Sequence, residues 1–155
     1  MPLNILIIIL IIAFDQTVKW WAASSLKAKG TVPLIDHAVQ FTYAENKGAA
    51  FSSFTSHTNM LIIVSIVFVA VALILLIKYY KTSALLRFSL VFIVGGAIGN
   101  LIDRVRLSYV IDMIDFSIIN FPIFNVADSF ISIGAVILVI YALRDLSRAG
   151  REKSE

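Results

Sequence analysis

Four long apolar runs divide this chain. They extend from Leu3 to about Ser24, Met60 to Ile77, Leu85 to Ile102 and Phe124 to Leu143. Each is close to the ~20 residues a helix needs to cross a hydrocarbon core. Ser65 is the only polar interruption of the second run. No basic residue precedes the first run, and Asp15 and Lys19 interrupt its later part. It therefore reads as a retained transmembrane helix and not as a cleaved leader. The segment from about Ser25 to Asn59 is more polar. Its stretch from Val32 to Tyr43 partly alternates β-branched or aromatic residues with polar ones, which predicts short strands. The expected fold class is an all-α membrane protein of four transmembrane helices with a small β-element, forming a single domain over residues 1–155.

Charge sets the orientation. The turn between the second and third runs carries Lys78, Lys81 and Arg87, and the tail carries Arg144, Arg148, Arg151 and Lys153. Basic segments stay in the cytoplasm, so both termini are expected inside and the segment Ser25–Asn59 outside. This topology brings Asp15 of the first helix, Asn100, Asp103 and Arg104 of the third, and Asn125 and Asp128 of the fourth to the outer half of the bilayer. Spacing alone thus predicts one shared polar site.

With 59% hydrophobic and 15% charged residues, the chain is not an ordinary soluble domain. The net charge of +3 is scattered near helix ends, without a basic patch interleaved with aromatics, so no nucleic-acid partner is expected. There is no cysteine, and His37 and His57 lack ligand spacing. No metal and no cofactor are expected.

The intramembrane acids remain to be explained. A charged side chain at the bilayer centre costs roughly 2.5–3.5 kcal/mol on insertion scales, so it usually marks function. Asp15 and Lys19 lie four apart and share a helix face. They form either a structural pair that helps Lys19 snorkel outward or part of a site. Gly95, Gly96 and Gly99 suit close helix packing. Asp103 and Arg104 read as scaffold, with Arg104 free to pair with Asp103 or with an acid from the next segment. Asn125, Asp128, Ser129 and Ser132 form a polar stripe that has to face protein or a wet cavity. Ser129 and Ser132 have no histidine placed to act as base. Two carboxylates sharing a proton can activate water against an amide. Asp128 with one of Asp112 and Asp115 would supply such a pair. A small ion-coupled carrier would place such groups nearer the midplane and show an internal repeat. An assembly subunit would not need acids converging with asparagines.

Five motifs stand in order: Asp15-Gln16-Thr17-Val18-Lys19; Asn46-Lys47-Gly48-Ala49-Ala50-Phe51; Gly95-Gly96-Ala97-Ile98-Gly99-Asn100-Leu101-Ile102-Asp103-Arg104; Val110-Ile111-Asp112; and Phe124-Asn125-Val126-Ala127-Asp128. On these the chain resembles the lipoprotein signal peptidases, or signal peptidase II, of bacterial inner membranes. The resemblance implies an intramembrane aspartic endopeptidase. Its partners would be membrane lipids and lipid-modified prolipoproteins, cut just before a diacylglyceryl-modified cysteine. It further implies that Asp112 and Asp128 are the catalytic dyad and that the β-element is extracytoplasmic. Asp15, Lys19, Asn46, Gly48, Asn100, Asp103, Arg104 and Asn125 match the family's substrate-binding or site-supporting positions.

Overall fold

The computed structural model describes residues 1–48, 58–119 and 121–152. Four helices are long and apolar enough to span a membrane. Helix α1 runs Pro2–Lys29, with a π-helical turn at Ala22–Leu26; α2 is Thr58–Tyr79, α3 Ala84–Leu107 and α4 Val126–Glu152. The described residues also form three strands: β1 (Thr31–Ile35), β2 (Val39–Asn46) and β3 (Val110–Asp115). Ala49, Ala50 and Phe51 of the second motif, the rest of the Ser25–Asn59 segment through His57, and Lys153 lie outside the described residues.

Helix α3 is the centre of the bundle. It packs against α1, α2 and α4, and most of its membrane-length window is buried, whereas α1, α2 and α4 expose most of theirs. Lipid tails are as apolar as leucine, so membrane helices associate through close packing and polar contacts. The glycines of α3 supply the closeness. A Cβ at Gly96 would overlap the Ala127 carbonyl of α4, so the two backbones meet directly there. One apolar cluster (Leu76, Leu86, Leu90, Val91, with Ile7 and Ile8 against it) ties α2, α3 and α1 together at the end of the bundle away from the sheet.

The strands form one antiparallel sheet in the order β1-β2-β3. Val32 pairs with Phe41 across β1 and β2, and Ala44 pairs with Asp112 across β2 and β3. Pro33, which has no N–H for a ladder, sits on the edge strand β1. The predicted strand region is present as a β1–β2 hairpin. The third strand, which carries Asp112 and Asp115, was not anticipated: alternation predicted strands only within Val32–Tyr43. At the end of α3, Ser108 takes a left-handed conformation and its N–H bonds the Arg104 carbonyl, which turns the chain into β3. The sheet then docks on the C-terminal end of α1, where Ala22 and Leu26 bury against Ile111 and Met113. Asp112 on the strand and Asp128 on α4 are thereby brought to one end of the bundle.

Candidate active site

The site is built on one ammonium group. Lys19 is only 2% exposed, so it does not snorkel to the surface as one expectation had it. An ammonium has three N–H donors. Here they meet Asp15 Oδ2 at 2.9 Å, Asp103 Oδ2 at 3.1 Å and Asn100 Oδ1 at 2.9 Å. Two carboxylates and an amide oxygen replace the water that a buried cation loses, which outcompetes the outward path.

Each of those acceptors fixes another element. Asp15 Oδ1 accepts the Ala127 N–H of α4 at 2.8 Å, and its Oδ2 lies where a Cβ on Gly99 would have to be. Asp103 Oδ2 accepts the Ile111 N–H of β3 at 3.1 Å. Gln16 Nε2 donates to Asp103 Oδ1 at 3.0 Å and to the Gly99 carbonyl at 3.2 Å. Gln16 was not among the anticipated site residues; only its place beside Asp15 in the first motif pointed to it. These contacts also explain why Arg104 and Asp103 do not pair. Neighbouring residues on a helix point apart, and both oxygens of Asp103 are occupied. Among the described residues Arg104 forms no ion pair.

Above this layer two asparagines carry the pattern to the acids. Asn100 accepts from Lys19 and donates through Nδ2 to Asp128 Oδ1 at 2.7 Å. Asn125 Nδ2 donates to Asp112 Oδ1 at 2.6 Å and to Asn100 Oδ1 at 3.1 Å. Asn125 is also the cap of α4: its Oδ1 accepts the Asp128 N–H at 2.9 Å, and Asp128 Oδ2 accepts the Asn125 N–H at 3.2 Å. This reciprocal cap satisfies orphan helix donors. It also makes Asn125 the bridge between Asp112 and Asp128. From the sheet, Asn46 Nδ2 donates to Asp112 Oδ2 at 3.0 Å, and the Gly48 N–H holds Asn46 Oδ1 at 3.0 Å. Every oxygen of both acids thus accepts one N–H from the protein and keeps a second lone-pair direction for water.

Asp115 belongs elsewhere. Residues three apart on a strand face opposite sides. Asp115 accepts from Gln40 Nε2 at 2.7 Å and Thr42 Oγ1 at 3.0 Å, bracing β2 against β3. The polar stripe of α4 is shorter than expected. Asn125 caps the helix, Ser129 bonds back to the Asn125 carbonyl, and Ser132 is exposed on the helix surface.

A cavity of about 260 Å³ lies beside Asp128, between α2, α3 and α4. Asn100, Arg104 and Asp128 form its polar side; Val64, Phe68 and Ile131 are among its apolar walls. Other hollows gather around Arg144 and Arg148, at the opposite end of α4, and contain none of this network.

Comparison with known proteins decides the family. The profile of signal peptidase (SPase) II matches residues 7–144. The chain belongs to the signal peptidase II family. It is 47% identical over 135 residues to the lipoprotein signal peptidase of Caldanaerobacter subterraneus subsp. tengcongensis, covering 86% of this chain and 91% of that one. With the lipoprotein signal peptidase of Clostridioides difficile it shares 43% identity over 145 residues, 91% and 95% of the two chains. Its fold matches a bacterial membrane enzyme solved by the in meso method at 2.3 Å resolution, with a TM-score of 0.86 and 30% identity over 96% of this chain and 92% of that one. Signal peptidase II is a protease that removes signal peptides from prolipoproteins, and this chain is a multi-pass membrane member of it.

Electrostatics distinguish the acid on the sheet. Burial, and next the negative charge of Asp128, push the Asp112 carboxyl from 3.8 up to about 6, against the pull of the Asn46 and Asn125 donors. Between about pH 4 and about pH 6 the folded state therefore keeps a proton on Asp112 that the unfolded chain has already released. Stability falls as pH rises from about 4 to about 6 and is flat above. Asp112→Asn removes this dependence. Relative to wild type, the variant should gain up to about 3 kcal/mol across that window, whatever its constant offset. Thermal unfolding at a series of pH values measures it, and a pH-independent gap would contradict the assignment.

The Lys19 layer makes a separate prediction. Asp15→Asn leaves the ammonium short of one charge partner, and breaking a buried pair costs about 3–5 kcal/mol. Unfolding in detergent should occur about 10 °C lower. An unchanged melting temperature would show that the pair does not support the fold.

Proposed function

We propose that Asp112 and Asp128 are the catalytic pair of this signal peptidase II, acting on prolipoproteins whose cysteine already carries a diacylglyceryl group. The observation that carries this is Asn125 bridging the two acids beside a cavity that α2, α3 and α4 enclose. Like charges held close cannot both ionise, so the pair shares one proton. Burial favours keeping it on Asp112, and Asp128, which faces the cavity, is assigned the role of base.

Asp128 takes a proton from water as the oxygen attacks the scissile carbonyl carbon. Asp112 gives its proton to the carbonyl oxygen. The tetrahedral adduct then collapses: the C–N bond breaks, the leaving nitrogen gains a proton from the Asp128 carboxyl, and the new carboxyl group's hydroxyl proton returns to Asp112. Asp15, Lys19, Asn46, Gly48, Asn100, Asp103 and Asn125 hold the pair in register, and Arg104 lines the cavity beside it. The cut falls just before the lipidated cysteine.

The enzyme sits in the bacterial inner membrane with both termini in the cytoplasm and the site toward the outer surface. The basic turn at Lys78, Lys81 and Arg87 and the basic tail support this orientation. The whole chain acts as one peptidase domain. An acyl chain buries about 0.8 kcal/mol per CH₂ in the bilayer, so lipid modification holds the cleavage point at the depth of the site. Purified protein should shorten a diacylglyceryl-modified precursor at least tenfold faster than the same precursor left unmodified. Equal rates for the two would overturn the substrate assignment.

A further inference from the structure

The connection from β3 to α4 does not read like a loop meant for water. Residues 116–127 contain no acidic or basic side chain and no histidine. Other turns of the fold carry charge: Asp36 between β1 and β2, and Lys81 between α2 and α3. Within the uncharged connection, Ile118 is 71% exposed, Ile119 57% and Phe121 52%.

The base of the connection is held in place. Phe124 pairs with Ile114 through backbone hydrogen bonds in both directions. Phe116, Phe121 and Phe124 pack together, with ring centroids 5.4–6.5 Å apart. The apolar tip is thus presented on a fixed root and not buried in a core.

Its height follows from its neighbours. Phe124 immediately precedes Asn125, the cap of a membrane-length helix whose surface exposes Ile133, Val136, Val139 and Ile140. Strand β3 docks on Ala22 and Leu26 of α1, next to Trp20 and Trp21, which are 72% and 38% exposed. Exposed tryptophans at the end of a span mark the membrane–water interface. The tip therefore continues the lipid-facing surface at the level where the bilayer ends, and an uncharged apolar loop there is covered by lipid at less cost than by water.

We propose that the exposed tip carrying Ile118, Ile119 and Phe121 is a membrane anchor, seated in the lipid of the leaflet at that end of the bundle, which the orientation proposed above makes the outer one. Its connection joins the strand carrying Asp112 to the helix carrying Asp128, so the bilayer surface is held in register with both. The proposal concerns the resting protein and stands apart from the catalytic assignment.

The chain has no cysteine, so single cysteines can be introduced at exposed positions and spin-labelled without background. Ile118→Cys and Ile119→Cys are the probes. Val136→Cys on α4 calibrates lipid, and Lys81→Cys in the charged turn calibrates water. Each variant is reconstituted in vesicles of phosphatidylethanolamine and phosphatidylglycerol without substrate, and its melting temperature is matched to wild type. Power saturation then compares collisions with oxygen, which concentrates in lipid, and with a water-soluble nickel chelate. Labels at 118 and 119 should favour oxygen, as at 136. Labels favouring the chelate, as at 81, would overturn the anchor. Labels shielded from both reagents would also overturn it, because the tip would then be covered by protein.

Discussion

A lysine ammonium inside a membrane protein has to find three acceptors or leave. Lys19 stays because Asp15, Asp103 and Asn100 converge on it from two helices. Removing any one acceptor leaves charge or a donor uncompensated where water cannot substitute. The same acceptors reach past the ammonium. Asp15 binds the first turn of α4, Asp103 binds the first residues of β3, and Asn100 binds Asp128. One cation therefore sets the relative position of three helices and a strand, and those elements carry the two acids of the site.

The division of labour between bundle and sheet follows from this. Helices supply a floor whose spacing is fixed by backbone contact, as at Gly96, and by the space that Gly99 leaves for Asp15. The sheet supplies Asp112 and Asn46 from outside the spans. Asn125 closes the arrangement by capping α4 and holding Asp112 with the same side chain. A membrane protease needs water at the reacting bond and lipid around its substrate. Placing one acid in the first turn of α4 and the other on a docked strand suits the proposed pair to that boundary.

Much of this was legible in the residues. Four spans followed from the length of the apolar runs, and the β1–β2 hairpin from alternation in Val32–Tyr43. The convergence of Asp15, Asn100, Asp103 and Asp128 followed from their places along alternating helices. Strand β3 was not legible because its first four residues are buried whichever face they occupy, which erases a period of two. Without that strand, spacing left Asp112 and Asp115 equivalent and only the motif ending at Asp112 told them apart; the pleat separates them physically. The surface path for Lys19 and the Asp103–Arg104 pairing were plausible from spacing alone. They failed because side-chain direction, set by partners distant in sequence, decides between options that spacing leaves equal.

The most direct test of the account is cleavage of a lipid-modified precursor by purified Asp112→Asn, Asp128→Asn, the double variant and Asp115→Asn, each confirmed folded by its melting temperature. The two dyad changes should each abolish turnover, and the double variant should be no worse than either, because groups that act as a unit do not add. Asp115→Asn should retain much of its activity, since it braces the sheet from the other face. Turnover in a folded Asp112→Asn or Asp128→Asn variant would contradict the mechanism, as would its loss in Asp115→Asn alone.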